Sequence, residues 1–383
     1  MKYYVIAGER SGDLHAANLI KAVAQEDKQA EFRGWGGEQM EEAGAYLVTH
    51  YRNMAFMGFL EVIKNLTTIR KFIKKCQEDI LLWKPDVVIL VDYAGFNMRI
   101  AKFCKQHTIQ VFYYISPKVW AWNQSRAYKI KATVDRLFVI LPFEKEFFKK
   151  YEYDVDYVGN PLLDEIAAFK PESDFLVKNN LSEKSVIALL PGSRYQEVEK
   201  MLSVMLDAAQ LLDKEKKGQY QFIIAGVSNL PKALYEEKIA TLEKELNVNV
   251  IYNQSYDLLS VATAAWVTSG TATLETALFH VPQVVCYRTS AFTYQIARLL
   301  IKIKYISLVN LIANEPVVVE LIQNELTTQK AFNELAKLLP GEKARQRQLE
   351  GYNKVDKLMG EPGASQRTAR LMMKYLTSST QSQ

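Results

Sequence analysis

The sequence predicts an α/β protein with two doubly wound domains, each built on a parallel sheet with helices on both faces. A chain of 383 residues is too long for one ordinary hydrophobic core. Short, continuously apolar runs alternate with helical patterns, as expected for parallel strands that are buried on both faces. After Gly159-Asn160-Pro161 the sequence becomes polar, and a second alternating series then begins. We therefore expect two similar domains that face each other across a cleft.

The predicted strands fall into two series. Those of the first series are Tyr3–Ala7, Phe32–Trp35, Asp86–Val91, Val111–Ile115, Leu137–Leu141 and Val155–Val158. Those of the second series are Val186–Leu190, Phe222–Ala225, Val248–Tyr252, Ala265–Thr268 and Val284–Tyr287. Helical patterns such as Leu14–Ala24 and Ile69–Trp83 lie between most of them. The predicted organisation is a first domain over 1–160, a linker over 161–184, a second domain over 185–330 and a charged helical tail over 331–383.

Composition and charge narrow the class of protein. The formal net charge of +5 permits an anionic substrate or an anionic membrane surface, but the chain lacks the dense basic runs of nucleic-acid-binding proteins. Cys76, Cys104 and Cys286 are scattered, which predicts neither a disulfide framework nor a metal site and suits a reducing cytoplasm. We expect Met1–Gly8 to be a first strand rather than a signal peptide, and no apolar run is long enough to span a membrane.

Functional residues should lie in the turns after the strands, because open α/β sheets bind ligands outside the carboxyl ends of their strands. The first such turn is Gly8–Asp13, in which Gly12 would allow a ligand close to the backbone and Ser11 or Asp13 could cap the helix that follows. Asp92 ends a strongly apolar strand. It is a candidate general base with a pKa raised by partial burial, or alternatively the N-cap of the next helix.

Two turns of the second domain are candidate phosphate sites. Pro191-Gly192-Ser193-Arg194 breaks a strand, with Ser193 a candidate helix cap and Arg194 a guanidinium suited to phosphate oxygens. An ordinary turn with a solvated arginine is the alternative. Ser269-Gly270-Thr271 precedes a second helix, on which Glu275 lies one turn further along the same face. Glu275 could accept hydrogen bonds from a ribose diol, or could simply be a solvent-exposed glutamate.

Two apolar features of the first domain each allow a functional and a structural interpretation. Trp120 and Trp122, in a loop broken by Pro117, could stack on a sugar or line an acyl pocket, or could instead pack the domain. The basic amphipathic stretch that begins near Met54 could lie on an anionic membrane, or be an ordinary helix facing the core. Its candidate membrane or acyl-chain contacts are Phe56, Met57, Phe59, Leu60 and Ile63.

Seven motifs follow one another in an order that resembles a known family. They are Ala7-Gly8-Glu9-Arg10-Ser11-Gly12-Asp13, Met57-Gly58-Phe59-Leu60-Glu61-Val62, Ser116-Pro117-Lys118-Val119-Trp120-Ala121-Trp122, Leu141-Pro142-Phe143-Glu144, Leu190-Pro191-Gly192-Ser193-Arg194, Ser269-Gly270-Thr271-Ala272-Thr273-Leu274-Glu275 and Ser307-Leu308-Val309-Asn310-Leu311-Ile312. Together they resemble the lipid-A-disaccharide synthase family of inverting glycosyltransferases, over about Lys2 to Gln323.

The resemblance implies a GT-B fold of two Rossmann-like domains, with the UDP-sugar held mainly by the second. It implies the donor UDP-2,3-diacylglucosamine, the acceptor 2,3-diacylglucosamine 1-phosphate (lipid X) and a β-1,6-linked disaccharide 1-phosphate product. It also implies that neither a metal nor a cofactor takes part, and that the protein is peripheral on the cytoplasmic face of the inner membrane. Members of the family can form a homodimer by exchanging C-terminal elements.

The same resemblance assigns roles to individual residues. Asp92 matches the proposed base, Arg194 an arginine at the diphosphate, Glu275 the acid that binds the ribose, and Asn310 a loop that closes the nucleotide site. Where the family often has Asp-Ala-Pro-Asp-Phe-Asn, this chain has Asp92-Tyr93-Ala94-Gly95-Phe96-Asn97, so the second acid is absent. Arg10 also stands where a small residue is common. The alternative functions are another GT-B enzyme, such as a UDP-N-acetylglucosamine 2-epimerase, and a non-catalytic nucleotide-sugar-binding protein.

Overall fold

The chain folds into two compact units, each with its own parallel sheet. The computed structural model describes residues 1–54, 66–242, 246–290, 294–295 and 303–380. Unit 1 comprises Met1–Asp164 and Glu361–Gln383, and unit 2 comprises Glu165–Gly360. Every strand pairing in both sheets of the described chain is parallel, so the predicted α/β fold class is confirmed.

Unit 1 contains, in the described part of the chain, a seven-stranded sheet in the order β3-β2-β1-β4-β5-β6-β7. Its strands are β1 (Lys2–Ala7), β2 (Glu31–Gly36), β3 (Tyr46–His50), β4 (Val87–Val91), β5 (Gln110–Tyr114), β6 (Arg136–Val139) and β7 (Asp156–Tyr157). Its helices are α1 (Arg10–Glu26), α2 (Glu38–Glu42), α3 (Leu66–Trp83), α4 (Ala94–Gln106), α5 (Val119–Trp122), α6 (Arg126–Thr133) and α7 (Pro142–Lys149), with a 3₁₀ turn at Tyr51–Met54. Strand β4 is buried along its whole length, because helices cover both faces of a doubly wound sheet.

Unit 2 contains, among the residues described, a six-stranded sheet in the order β10-β9-β8-β11-β12-β13. Helix α8 (Pro161–Ala168) leads from unit 1 into unit 2. The strands are β8 (Ser185–Leu190), β9 (Tyr220–Gly226), β10 (Val248–Tyr252), β11 (Ala262–Thr268), β12 (Gln283–Tyr287) and β13 (Val319–Ile322). The helices are α9 (Phe175–Lys178), α10 (Tyr195–Glu215), α11 (Ala233–Ile239), α12 (Ser255–Val261), α13 (Thr271–Leu278), α14 (Leu308–Ala313), α15 (Thr328–Ala336) and α16 (Lys343–Met359), with a 3₁₀ turn at Gln323–Glu325.

The segment predicted as a linker is largely part of unit 2. Phe175 is buried in the core beneath β8, and Leu176 and Leu181 pack against the same core. The Gln221 side chain holds the segment in place by donating to the Ser182 carbonyl at 2.6 Å and to the Lys184 carbonyl at 2.8 Å. The prediction of a linker over 161–184 is therefore corrected. A polar segment with one buried aromatic residue resembles a linker in sequence, although this one packs as part of unit 2.

The predicted C-terminal tail is not a separate element. Its first helices, α15 and α16, belong to unit 2, where the Trp266 indole donates to the Ala331 carbonyl at 2.9 Å. The last helix, α17 (Ala364–Thr380), packs on α1 and buries Ala369, Met372 and Leu376 in the core of unit 1. The division at 330 was wrong because helices distant in sequence can cover one sheet face, and only the fold reveals which sheet that is.

Each sheet reverses its strand order at one point, β1/β4 in unit 1 and β8/β11 in unit 2. The turns at those points are Gly8–Asp13 and Asp92–Tyr93 in unit 1. In unit 2 they are Pro191–Arg194 and Ser269–Thr271. Such switch points are where open α/β sheets bind ligands, so the predicted turns occupy the expected positions within each unit. No helix among the described residues is both long and apolar enough to cross a membrane.

Candidate active site

Asp92 lies on a strained turn that its neighbours hold in place. Asp92 and Tyr93 both have left-handed backbone conformations, with φ of 44° and 48°. Non-glycine residues in this region cost about 1–3 kcal/mol each and persist only where the surroundings impose them. The Asp92 carbonyl accepts from the Asn97 side-chain amide at 2.8 Å and from the Tyr113 hydroxyl at 2.5 Å, and its N–H donates to the Tyr114 carbonyl at 3.2 Å. Three hydrogen bonds thus determine the direction of this residue.

The electrostatic surroundings of Asp92 favour its action as a general base. Burial is the main cause that raises the pKa of the Asp92 carboxyl above its usual range, and the nearby charge of Glu9 raises it further. The Lys118 ammonium and the Tyr93 N–H act in the opposite direction. The alternative role as helix N-cap is wrong, because Tyr93 occupies the N-cap position of α4. A carboxylate with a raised pKa is a stronger base than a free aspartate, which suits proton abstraction.

The turn after β1 is occupied by protein groups. The ring of Tyr93 lies where a side chain at Gly8 would be, at 2.1 Å from the Cβ position. Gly12 is buried, and a Cβ there would lie 3.5 Å from the Ala7 Cβ, so Gly12 allows α1 to pack closely on β1. The exposed Ser11 hydroxyl donates to Glu9 at 3.1 Å. Of the two predicted contacts in this turn, only Ser11 is open to a ligand in this arrangement.

The predicted capping of α1 is wrong, since Glu9 is its N-cap and makes no side-chain cap bond. The Asp13 carboxylate instead accepts from the backbone N–H groups of Gly37 at 2.6 Å, Gln39 at 3.1 Å and Met40 at 3.3 Å. Asp13 therefore satisfies the free N–H groups at the start of α2. The spacing of residues 11–13 in sequence could not reveal a partner 24 residues away.

The two tryptophans have different surroundings. Trp120 is 6% exposed, its indole N–H donates to Glu144 at 3.2 Å, and its ring packs edge-on against Phe143. Trp120 therefore packs the domain, and its predicted stacking on substrate is corrected. Trp122 is 43% exposed, and the Arg126 guanidinium lies over its ring at 4.6 Å. Only Trp122 offers an open aromatic face.

Glu144 organises the loop that carries both tryptophans. Its buried carboxylate accepts from the Ser116 hydroxyl and the Trp120 indole, and from the backbone N–H groups of Ile140 at 3.1 Å and Leu141 at 2.9 Å. No sequence pattern around Glu144 indicates this role. A buried carboxylate with this many donors stabilises the position of the loop beside Asp92.

In unit 2, the Pro191–Arg194 turn presents Arg194 to solvent. Helix α10 has Arg194 rather than Ser193 at its N-cap position, so the predicted cap was wrong. The Glu197 carboxylate accepts from the N–H groups of Ser193 at 3.1 Å and Arg194 at 3.2 Å, and from the Arg194 guanidinium at 2.8 Å. The Arg194 side chain is nonetheless 82% exposed. The glutamate three residues after the N-cap was the sequence signal for this contact, and it was missed.

The second turn of unit 2 leaves a helix N-terminus open. Gly270 is the N-cap of α13, with open space where a side chain would be, and Thr271 is exposed. The Ser269 hydroxyl donates to the Ile306 carbonyl at 3.0 Å and so joins this turn to the segment before α14. The neighbouring Thr268 hydroxyl is buried and has no hydrogen-bond partner in the described part of the protein. Free N–H groups at such a terminus favour an anion.

Asn310 stabilises the adjoining loop from inside. It is 1% exposed, and its amide bonds both the N–H and the carbonyl of Val318 at 2.9 Å. The same amide donates to Glu320 at 2.9 Å, and Glu320 accepts from the Ile306 and Ser307 N–H groups. The Asn310 side chain is therefore bonded within the protein, and the closing of the nucleotide site by its loop stays a prediction. Its side chain fixes the segment that Ser269 touches.

Glu275 is a partly buried acid beside a second acid. Burial, followed by the charge of Glu165, raises the pKa of Glu275 to about 7. The Tyr256 hydroxyl lies between the two carboxylates, donating to Glu165 at 3.5 Å and also reaching Glu275. The alternative of an ordinary solvent-exposed glutamate is wrong. An acid with a strongly perturbed pKa beside an open helix N-terminus is typical of a binding site.

Within unit 1 the structure thus brings together Asp92, Glu9 and Lys118. Within unit 2 it places Arg194 in the turn after β8 and Glu275 on α13, the helix that follows β11. The candidate membrane contacts Phe56, Met57, Phe59, Leu60 and Ile63 lie outside the described residues. In the described ranges, no three His, Cys, Asp or Glu side chains are placed to hold a metal ion.

Comparison with solved structures identifies the class of fold. The chain resembles UDP-GlcNAc 2-epimerase from Neisseria meningitidis bound to UDP-GlcNAc, with a TM-score of 0.65 at 14% identity, covering 98% of this chain and 100% of the other. It also resembles the calicheamicin glycosyltransferase CalG4, with a TM-score of 0.59 at 12% identity and 98% coverage of both chains. Two Rossmann-like units of this kind define the GT-B class, and the predicted fold is confirmed.

Comparison of sequences identifies the family. The model of the lipid-A-disaccharide synthetase family matches residues 3–373. The lipid-A-disaccharide synthase of Syntrophus aciditrophicus is 38% identical over 376 residues, with 98% of each chain covered. The synthase of Geobacter metallireducens is 37% identical over 373 residues, covering 97% of this chain and 96% of its own. The chain belongs to the lipid-A-disaccharide synthetase family and is a glycosyltransferase, as the motifs predicted.

Proposed function

We propose that the protein transfers a diacylglucosaminyl group from UDP-2,3-diacylglucosamine to the 6-hydroxyl of 2,3-diacylglucosamine 1-phosphate. The products are the β-1,6-linked tetraacyl disaccharide 1-phosphate and UDP. Membership of the family supports the overall reaction. The observation that supports the mechanism is the Asp92 carboxylate, on a strained turn whose carbonyl is held by Asn97 and Tyr113.

The proposed chemistry is a single displacement. The acceptor oxygen attacks the anomeric carbon from the face opposite UDP, Asp92 takes the hydroxyl proton, and the bond from the anomeric carbon to the diphosphate breaks. The raised pKa of Asp92 supports this role, because a base is most effective when its pKa is close to the working pH. The stereochemical outcome is inversion, since one displacement occurs.

The leaving diphosphate is assigned to unit 2. The exposed guanidinium of Arg194 and the open N-terminus of α13 would stabilise its negative charge without a metal ion. Glu275 would accept hydrogen bonds from the ribose diol. The side chain of Asn310 would act indirectly, through the loop that it holds.

The location that we propose follows from the substrates. Both are lipids, so the protein would act as a peripheral protein on the anionic cytoplasmic face of the inner membrane. The basic amphipathic stretch that contains Phe59 is the proposed contact with that surface. A homodimer formed by exchange of C-terminal elements remains part of the proposal.

The test is an assay of the purified protein with both lipid substrates in detergent, detecting the disaccharide by mass and UDP release in parallel. We expect Asp92→Asn to lower kcat about a hundred- to ten-thousandfold. Arg194→Ala should lower it about a hundred- to a thousandfold. Asp207→Asn is the matched control, because burial also raises the pKa of Asp207, which lies in the middle of α10.

Three outcomes would contradict the proposal. The first is an absence of disaccharide with the wild-type protein. The second is near-normal turnover by both Asp92→Asn and Arg194→Ala. The third is conversion of UDP-N-acetylglucosamine without any acceptor, which would indicate an epimerase.

A further inference from the structure

A cavity of about 260 Å³ opens in unit 1 beside the turn that carries Asp92. It is lined by Ala94, two residues after Asp92, and by Pro117 of the loop after β5. Its walls are the N-terminal half of α4 and the helix α6, which pack against each other. The cavity therefore lies at the carboxyl edge of the sheet, where this class of fold binds ligands.

The cavity has an apolar floor and a cationic rim. The floor is formed by Met98, Val119 and Ile130, and the rim by Arg99, Arg126 and Lys129. No lining residue in the described part of the chain is acidic, and within that part none of the three rim cations forms an ion pair. Three uncompensated cations next to apolar surface suit a ligand that joins an anion to a hydrocarbon chain.

Two of the rim cations are already held in position. The Arg126 guanidinium lies over the Trp122 ring at 4.6 Å, and the Arg99 guanidinium donates to the Gly95 carbonyl at the start of α4. Both keep further N–H groups for a ligand, because a guanidinium carries five. Arginine side chains ordered in this way lose less conformational entropy when they bind a phosphate.

We infer that this cavity binds the acceptor, a singly phosphorylated acyl sugar, through its phosphate and the adjoining part of one acyl chain. The inference rests on the proposed function, in which the diphosphate of the donor is assigned to unit 2. Pockets that enclose a whole small molecule are typically about 300–1,000 Å³, so a cavity of this size holds one part of the lipid. The acceptor joins an acyl chain and a phosphate on one sugar, and the cavity places apolar and cationic surface side by side next to Asp92.

The charge of the rim can be tested by reversal. Arg126→Glu should raise KM for lipid X at least tenfold and leave KM for the UDP-sugar within about twofold, because only the acceptor phosphate contacts the rim. Lys102→Glu is the matched control, since Lys102 is an exposed cation on α4, the other helix of the cavity wall, and does not line the cavity. With an acceptor that lacks the 1-phosphate, Arg126→Glu should be no worse than the wild type.

The role of the apolar floor can be tested by filling the cavity with a larger side chain. Met98→Trp should raise KM for lipid X and weaken its direct binding, measured as Kd in mixed micelles without donor. The thermal midpoint of each variant shows whether it is folded, and a variant within about 3 °C of the wild type is accepted. The binding of each variant to vesicles of phosphatidylglycerol is measured as well. It tests whether the cations contact a membrane surface instead.

An unchanged KM and Kd for lipid X in folded Arg126→Glu and Met98→Trp would overturn the inference. So would a loss of vesicle binding with no change in acceptor binding, which would assign the patch to a membrane. If the wild type makes no disaccharide but binds lipid X in a way that Met98→Trp abolishes, the proposed function fails while the binding site stands. If disaccharide forms normally and both variants behave like the wild type, only the inference fails.

Discussion

Removing the Tyr113 hydroxyl should weaken catalysis more than it weakens the fold. In Tyr113→Phe the Asp92 carbonyl keeps its 2.8 Å bond to Asn97 and loses its 2.5 Å bond to the hydroxyl. One such hydrogen bond contributes about 0.5–1.5 kcal/mol to stability. It also opposes the strain of two consecutive left-handed residues, at about 1–3 kcal/mol each, so its loss lets the turn relax.

We expect kcat to fall about tenfold, which corresponds to about 1.4 kcal/mol in the activation barrier. KM for both substrates should stay within about twofold, because a base that is misplaced affects the transition state rather than binding. The assay is steady-state turnover combined with urea unfolding. Tyr153→Phe is the matched control, since the Tyr153 hydroxyl makes the same kind of bond, to the Val134 carbonyl at 3.0 Å, outside the site.

A double variant tests whether the Tyr113 hydroxyl affects kcat through Asp92. In an Asp92→Asn background, Tyr113→Phe should cause no further loss of kcat, because the two changes disable the same group. Equal losses of stability in Tyr113→Phe and Tyr153→Phe, with normal kcat in both, would contradict a role of the Tyr113 hydroxyl in positioning Asp92. Losses of kcat that simply multiply in the double variant would also contradict it.

Three further predictions concern charge. Glu9→Gln should move the acid limb of kcat/KM to lower pH, because the Glu9 charge raises the pKa of Asp92; an unmoved limb in the pH–rate profile would contradict this. Burial and Glu165 raise the pKa of Glu275 from 4.5 to about 7, so the folded state favours the protonated form and the wild type should lose stability relative to Glu275→Gln as the pH rises from 4.5 through 7. Thermal midpoints across that range check the sign, and a parallel pH dependence of the two proteins would count against it. Glu144→Ala strands four buried donors and should cost about 3 kcal/mol in urea unfolding, whereas a loss below about 1 kcal/mol would show that the loop rearranges.

The sequence predicted every strand in the middle of the two described sheets, and also the edge strands β7 and β10. β10 was predicted at the observed residues Val248–Tyr252, and β4 and β12 to within one residue. The two strands that were missed, β3 and β13, lie at sheet edges and are partly exposed. An edge strand needs no continuous apolar run, because one side of it faces solvent, so its composition resembles that of a loop.

The residues of the candidate site also fall into those that the sequence predicts and those that it does not. The positions of Asp92, Arg194 and the Ser269–Thr271 turn could be predicted, because a strand end followed by a helix start is a local pattern in the chain. The tasks of Trp120 and Asn310 could not. Trp120 and Trp122 stand two residues apart in the same loop, and nothing in the sequence tells the exposed indole from the one that donates to a buried carboxylate. The packing of the folded chain determines that Glu144 is the partner of Trp120 and Val318 that of Asn310.

Local sequence carries the alternation of strands and helices, the turns at their ends and the order of motifs that identifies the family, because each depends on residues close together in the chain. Which side chains remain available to a substrate depends on contacts between distant residues. Tyr93 fills the space above Gly8, Glu197 holds Arg194 at the start of α10, and α17 returns to complete the core of unit 1. Hydrogen bonding and burial are properties of the packed chain, and they set the direction of Asp92 and the pKa of Glu275.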